Sequence, residues 1–160
     1  MTKDKVSQDD VFSRRTRLRA RHQADLSEVR SEAGRAGAED YFQALVAAVA
    51  VIAHADGRLD LAERRKLVEA FFTSPALEGF SVAELAEELA DHARAYLYDP
   101  HLAEKQALVS LSISALSAGD RQSIRDACHQ VITADGLVHP VELGALHRVE
   151  LALGIGGATR

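Results

Sequence analysis

Residues 44–53 form an unbroken apolar run, ALVAAVAVIA, the longest in the chain. A stretch apolar on every side predicts a helix buried on most faces rather than an amphipathic surface helix. The pattern predicts this first core helix over 38–55, ended by Gly57, a residue suited to the left-handed geometry past a helix terminus. Leu67, Val68, Phe71 and Phe72 then recur at helical spacing and predict the inner stripe of a second helix. Asp60 with Glu63 three residues on opens it, close to a capping box, and Pro75 and Gly79 break it. Ser81 with Glu84 repeats that opening for a helix reaching to near residue 96. Asp99 followed by Pro100 supplies an N-cap and a proline at the first helical position. In the helix that follows, Leu108, Leu111 and Ala115 make one stripe and Val109, Ile113 and Leu116 a second, which predicts a central position for it. Gly119–Asp120 is expected to cap the next helix, running to near residue 134 and ended by Gly136. Pro140 sits in the first turn of the last, which carries Leu146, Val149 and Leu153 inward and closes at Gly154. Period-two alternation is scarce and good helix formers dominate, so the fold is read as all-α.

Composition narrows the class. At 160 residues, 47% of them hydrophobic, the chain can bury a core without a metal or disulfide to hold it, and disorder throughout is excluded. The single Cys128 excludes a disulfide scaffold. The apolar run is about half the ~20 residues a membrane-spanning helix needs. Residues 1–20 carry several Arg and no apolar signal core, so a cytoplasmic location is expected. A net charge of −5 argues against a nucleic-acid partner.

Charge is spread unevenly. Residues 1–40 hold nine Lys/Arg against eight Asp/Glu, and the remainder ten against sixteen. Arg14, Arg15, Arg17, Arg19 and Arg21 come with no acid among them. Residues 1–37 are therefore read as a basic arm or loosely docked helix, and residues 38–160 as the compact domain.

Two segments of that domain repeat. AHADGRLDLAERRKL begins at Ala53 and ITADGLVHPVELGAL at Ile132. A shift of 79 residues places Ala55 on Ala134, Asp56 on Asp135, Gly57 on Gly136, Glu63 on Glu142 and Leu67 on Leu146. Each copy reads A-D-G, an apolar residue two further on, then Glu. This duplicated pattern, with the LGI that follows the last helix, resembles the tellurite-resistance TerB-like family. That family also includes the N-terminal domain of certain membrane-anchored DnaJ-like co-chaperones. The resemblance implies a compact bundle of about seven helices with two pseudo-symmetric helix–turn–helix units. It also implies an association with resistance to tellurite and other stresses, and a polar, metal-binding surface formed by the motif acids. His139 departs from the pattern, standing where the first copy has Asp60, and the Arg-rich arm lies outside it.

The acids invite a calcium reading. Asp56, Gly57, Leu59 and Glu63 fit positions 5, 6, 8 and 12 of an EF-hand loop, as do Asp135, Gly136, Val138 and Glu142. Positions 1 and 3, however, are Ile52 and His54 in one copy and Val131 and Thr133 in the other, so the main oxygen ligands are missing. A composite site is the alternative. Asp56, Asp60 and Glu63, with His54 nearby, would converge at one turn and Asp135, His139 and Glu142 at the other. Packed face to face, the two turns would pool ligands suited to Mn, Fe, Zn or Mg. A purely structural role competes, since a carboxylate at the third helical position satisfies a free backbone N–H and complements the helix dipole.

Other features carry less. Cys128–His129 reads as a buried thiol beside a surface imidazole, His92 and His101 as solvated loop flanks. Gly154, Gly156 and Gly157 follow no strand and make no dinucleotide fingerprint. No catalytic arrangement emerges, and the chain is not expected to be an enzyme. If helical, Arg14, Arg17 and Arg21 share one face, which suits anionic lipid or internal pairing with Asp25, Glu28 and Glu32. The leading expectation is a cytoplasmic stress-response module that binds a divalent metal or a protein partner through the DG-turn acids. The alternative is an adaptor peripheral to the inner face of the membrane, held by the Arg arm.

Overall fold

The structure is a computed structural model that describes residues 32–57 and 59–155, with side chains from residue 37 onward. The Arg-rich face of the predicted arm lies outside the described residues. Among the described residues the order is α1 (Glu32–Ala53), α2 (Leu61–Thr73), a 3-10 turn (Pro75–Leu77), α3 (Val82–Tyr98), α4 (Pro100–Ile113), α5 (Ala118–Ile132) and α6 (Pro140–Ala152), with no strand. This is the all-α bundle expected from the sequence. No helix among the described residues is long and apolar enough to cross a membrane.

α1 is the centre of the bundle. Tyr41, Phe42 and every residue from 44 to 53 are buried, so the all-round apolar pattern is matched by burial on all sides. It begins earlier than predicted and runs through Gly34 and Gly37, because glycine lowers helix stability without forbidding the geometry. Phe42 anchors its first half, stacking on Phe80 with ring centroids 4.5 Å apart and meeting Phe71 of α2 edge-on at 6.2 Å.

The starts of the helices follow local chemistry. Asp60 and Glu63 form a complete capping box at α2, as do Ser81 and Glu84 at α3. Asp99 accepts from the Leu102 amide ahead of Pro100. At α5 the cap is Ser117, whose hydroxyl accepts from the Asp120 amide, so Gly119 and Asp120 lie within the first turn instead of capping it. α6 ends with Gly154 at φ +76°, where the Ile155 amide reaches back to the Glu150 carbonyl.

Two inner stripes differ from expectation. α4 is peripheral. It buries Ala103, Ala107 and Leu111, while Val109 and Ile113 are exposed. Both of its apolar stripes satisfy helical periodicity, and α1 already fills the centre. On α2, Leu67 and Phe71 are buried but Phe72 is 69% exposed. Leu146, Val149 and Leu153 point inward as predicted.

This difference in burial sets a mutational contrast. Ile52→Ala in α1 should destabilise by about 2–5 kcal/mol, through lost transfer energy and a residual cavity. Ile113→Ala in α4 should change stability by less than about 0.5 kcal/mol. Urea unfolding at constant m-value measures both, and a large loss at Ile113 would contradict the peripheral placement of α4.

Candidate functional site

Two helix–turn–helix corners, α1–α2 and α5–α6, carry the repeated A-D-G segment. Gly57 and Gly136 both have positive φ, +130° and +78°, which only glycine adopts without strain. Each corner delivers a glutamate at the third position of the following helix, Glu63 in α2 and Glu142 in α6. Both are buried, at 5% and 1% exposure, which is rare for a carboxylate that lacks a compensating cation.

The two corners handle their polar groups differently. In the first, the Asp60 amide donates to Glu63 Oε2 at 2.7 Å and the Glu63 amide to Asp60 Oδ1 at 2.8 Å. Asp60 is thereby engaged in the cap. In the second, the N-cap is His139, whose side chain makes no cap hydrogen bond. The Glu142 amide donates instead to the His139 carbonyl at 3.0 Å. Asp135 Oδ1 accepts from the Leu137 amide at 2.9 Å, and its Oδ2 lies 3.9 Å from His139 Nε2. The imidazole is free of the cap and exposed.

The corners meet. Asp56 of the first and His139 and Glu142 of the second each offer a ligand atom, all within 4.8 Å of one another. Asp56 and His139 are exposed and Glu142 is buried, so the group opens to solvent on one side. Glu63 lies against Glu142. Of the six predicted ligands, three form one group, Glu63 adjoins it, and Asp60 and Asp135 are held by backbone amides of their own turns. His54 goes elsewhere, stacking on Tyr96 of α3 with centroids 4.2 Å apart.

Electrostatics mark Glu142 as the unusual member. Burial pushes its carboxyl up to about 7. The adjacent Glu63 and the charge of Asp56 add to the shift, and the backbone N–H of His139 opposes it. Its Oε2 is buried and has no hydrogen-bond partner. A buried, unsatisfied carboxylate oxygen is costly, and either a proton or a cation relieves it. The contact between Glu63 and Glu142 had no signal in the sequence beyond the duplication, because it depends on how the corners pack.

Among the remaining candidates, Cys128 is fully buried and its thiol is pushed up to about 12 by burial, so a nucleophilic role has no support. His129 and His101 are exposed, as expected. His92 is half-buried instead of solvated, and burial together with the nearby His54 lowers its pKa.

Glu142 makes stability pH-dependent. With a folded pKa of about 7 against an ordinary 4.5, the folded state holds the extra proton between those values. The contribution is complete below about 4.5 and is lost as pH rises through about 7. Wild type minus Glu142→Gln should therefore lose about 1–3 kcal/mol of relative stability between pH 5 and pH 8 in metal-free buffer. Thermal melts of the two proteins across that range test it, and parallel curves would show an ordinary carboxylate.

Residues 42–160 match the family model TerB, described as tellurite resistance protein TerB. No curated protein and no solved structure matches the chain.

Proposed function

The chain belongs to the TerB family of tellurite-resistance proteins, and within that family we propose that it is a non-enzymatic module whose two DG corners together bind one divalent metal ion. Asp56, His139 and Glu142 are the ligands. The observation that carries this reading is the buried, unpartnered Oε2 of Glu142 in a group whose ligand atoms lie within 4.8 Å of one another. Ligands around a bound transition metal sit about 3–4.5 Å apart, so small side-chain adjustments suffice. One imidazole with two carboxylates suits Mn, Fe or Zn, and less well Ca, which wants six to eight oxygens.

The chain's own residues would divide the work. Asp56 and His139 receive the ion from solvent. Glu142 supplies the buried oxygen, and its proton leaves on binding, which makes affinity rise with pH. Glu63, fixed by the Asp60 cap, stands beside Glu142. Asp135 steadies the turn through the Leu137 amide and approaches the imidazole, as a supporting partner of a ligand does.

Docking of a protein partner at the same surface has its own support. Leu137, Val138 and Val141 of the second corner are all exposed beside the acids. An apolar patch rimmed by charge suits a partner with apolar anchors and basic flanks.

Calorimetry with Mn, Zn, Mg and Ca separates the possibilities. One saturable site is expected for Mn or Zn at micromolar to submillimolar affinity, with protons released. Glu142→Gln or His139→Ala should weaken it by about tenfold or more, whereas Asp60→Ala should reduce stability by about 1 kcal/mol and leave the site intact. Absence of binding at ~0.1 mM metal ends the metal reading and leaves docking. Docking itself predicts capture that weakens with salt.

A further inference from the structure

An apolar groove adjoins the α1–α2 corner and shares no lining residue with the acidic group. It is half open to solvent and has a volume of about 350 Å³, within the size range of small-molecule sites. Its walls are Ala50 and Ala53 of α1 and Ala86 and Ala90 of α3, with Leu89 beside them. Facing alanines ordinarily let helices approach to the short end of the ~8–10 Å range. Here the His54–Tyr96 ring stack, interplanar angle 10°, joins the turn after α1 to α3 at the side of the groove lined by His54.

The polar lining is one-sided in charge. Among the described residues Arg64 and His54 line the groove, and no carboxylate does. Arg64 is exposed and makes no salt bridge among the described residues, although the chain as a whole carries a net −5. Its acidic neighbour in sequence, Glu63, is turned to the other face and engaged with the Asp60 amide. An apolar trough with an unpaired guanidinium at its edge fits an amphiphile with a compact anionic head. The limited volume selects a single short chain over a two-chain lipid.

We propose that this trough is a binding site for a free medium-chain carboxylate, its alkyl chain along the alanine walls and its carboxylate on Arg64. The guanidinium matches a carboxylate in a paired, forked geometry, which an ammonium could not reproduce. The site is separate from the metal ligands, so neither reading depends on the other.

Titration of the full chain with decanoate, followed by amide NMR and calorimetry, tests the proposal, with decanol as the uncharged control. The expected result is saturable one-to-one binding below about 1 mM, with shifts confined to residues around Ala50, Leu89 and Arg64. Arg64→Gln should weaken decanoate by about tenfold and leave decanol unchanged. Ala90→Phe, which fills the trough, should abolish both. Arg64 is exposed, so its variant reports even if the larger side chain at 90 impairs folding. Lack of saturation, equal affinity of Arg64→Gln and wild type, or shifts spread over the exposed Leu97, Tyr98 and Ile113 would overturn it.

Discussion

From residue 44 to 53 the chain has no side that water can face, and the rest of the fold follows from that requirement. A helix apolar all round is stable only when other elements surround it. α2, α5 and α6 contribute Leu67, Phe71, Ile124, Val131, Leu146 and Val149 to that enclosure. Each such side chain is worth about 1.5–3 kcal/mol when withdrawn from water, so a shared core of this kind dominates the stability. Two of the surrounding helices, α2 and α6, begin at glycine corners, and enclosing α1 brings those two beginnings together. The acidic group is thus formed by core packing, although none of its members is apolar.

Bringing two helix starts together creates an electrostatic conflict. Glutamate at the third helical position is favourable in each helix alone, because it satisfies an amide and complements the dipole. Side by side and buried, Glu63 and Glu142 repel, and Asp56 adds a third negative charge. One carboxyl is therefore driven toward its protonated form, and among the described residues no amide or cation reaches Oε2 of Glu142. The corners resolve the conflict asymmetrically. Asp60 completes a cap, while His139 in the equivalent position leaves its imidazole beside the acids. An imidazole there adds no further carboxylate where another aspartate would have deepened the repulsion.

Several elements were legible because their signals are local. The boxes at Asp60–Glu63 and Ser81–Glu84, the Asp99–Pro100 start and the Gly154 stop depend on residues within one turn, and each occurs as read. Misreadings arose where one local signal had two valid outcomes. Val109 and Ile113 obey helical spacing as well as Leu111 does, yet only one face of α4 can meet the bundle. Ser117 and Asp120 are both good cap residues, and the hydroxyl three residues earlier took the position. Phe72 neighbours Phe71 on the helix and points outward, because successive residues are about 100° apart and a single stripe cannot hold both.

The sequence by itself determined an all-α chain, the capping boxes at Asp60–Glu63 and Ser81–Glu84, the Asp99–Pro100 start, the Gly154 stop and the buried character of α1. These are consequences of periodicity and of capping over a few residues. Only the tertiary structure decided which carboxylates share a surface. It joined Asp56 to His139 and Glu142, residues from corners 79 positions apart, and left Asp60 and Asp135 accepting from the Glu63 and Leu137 amides of their own turns. It also opened the alanine-walled trough beside Arg64. Such juxtapositions arise when separate helices pack around one core, and the spacing of residues along a chain carries no record of the distance between helices that are remote in sequence.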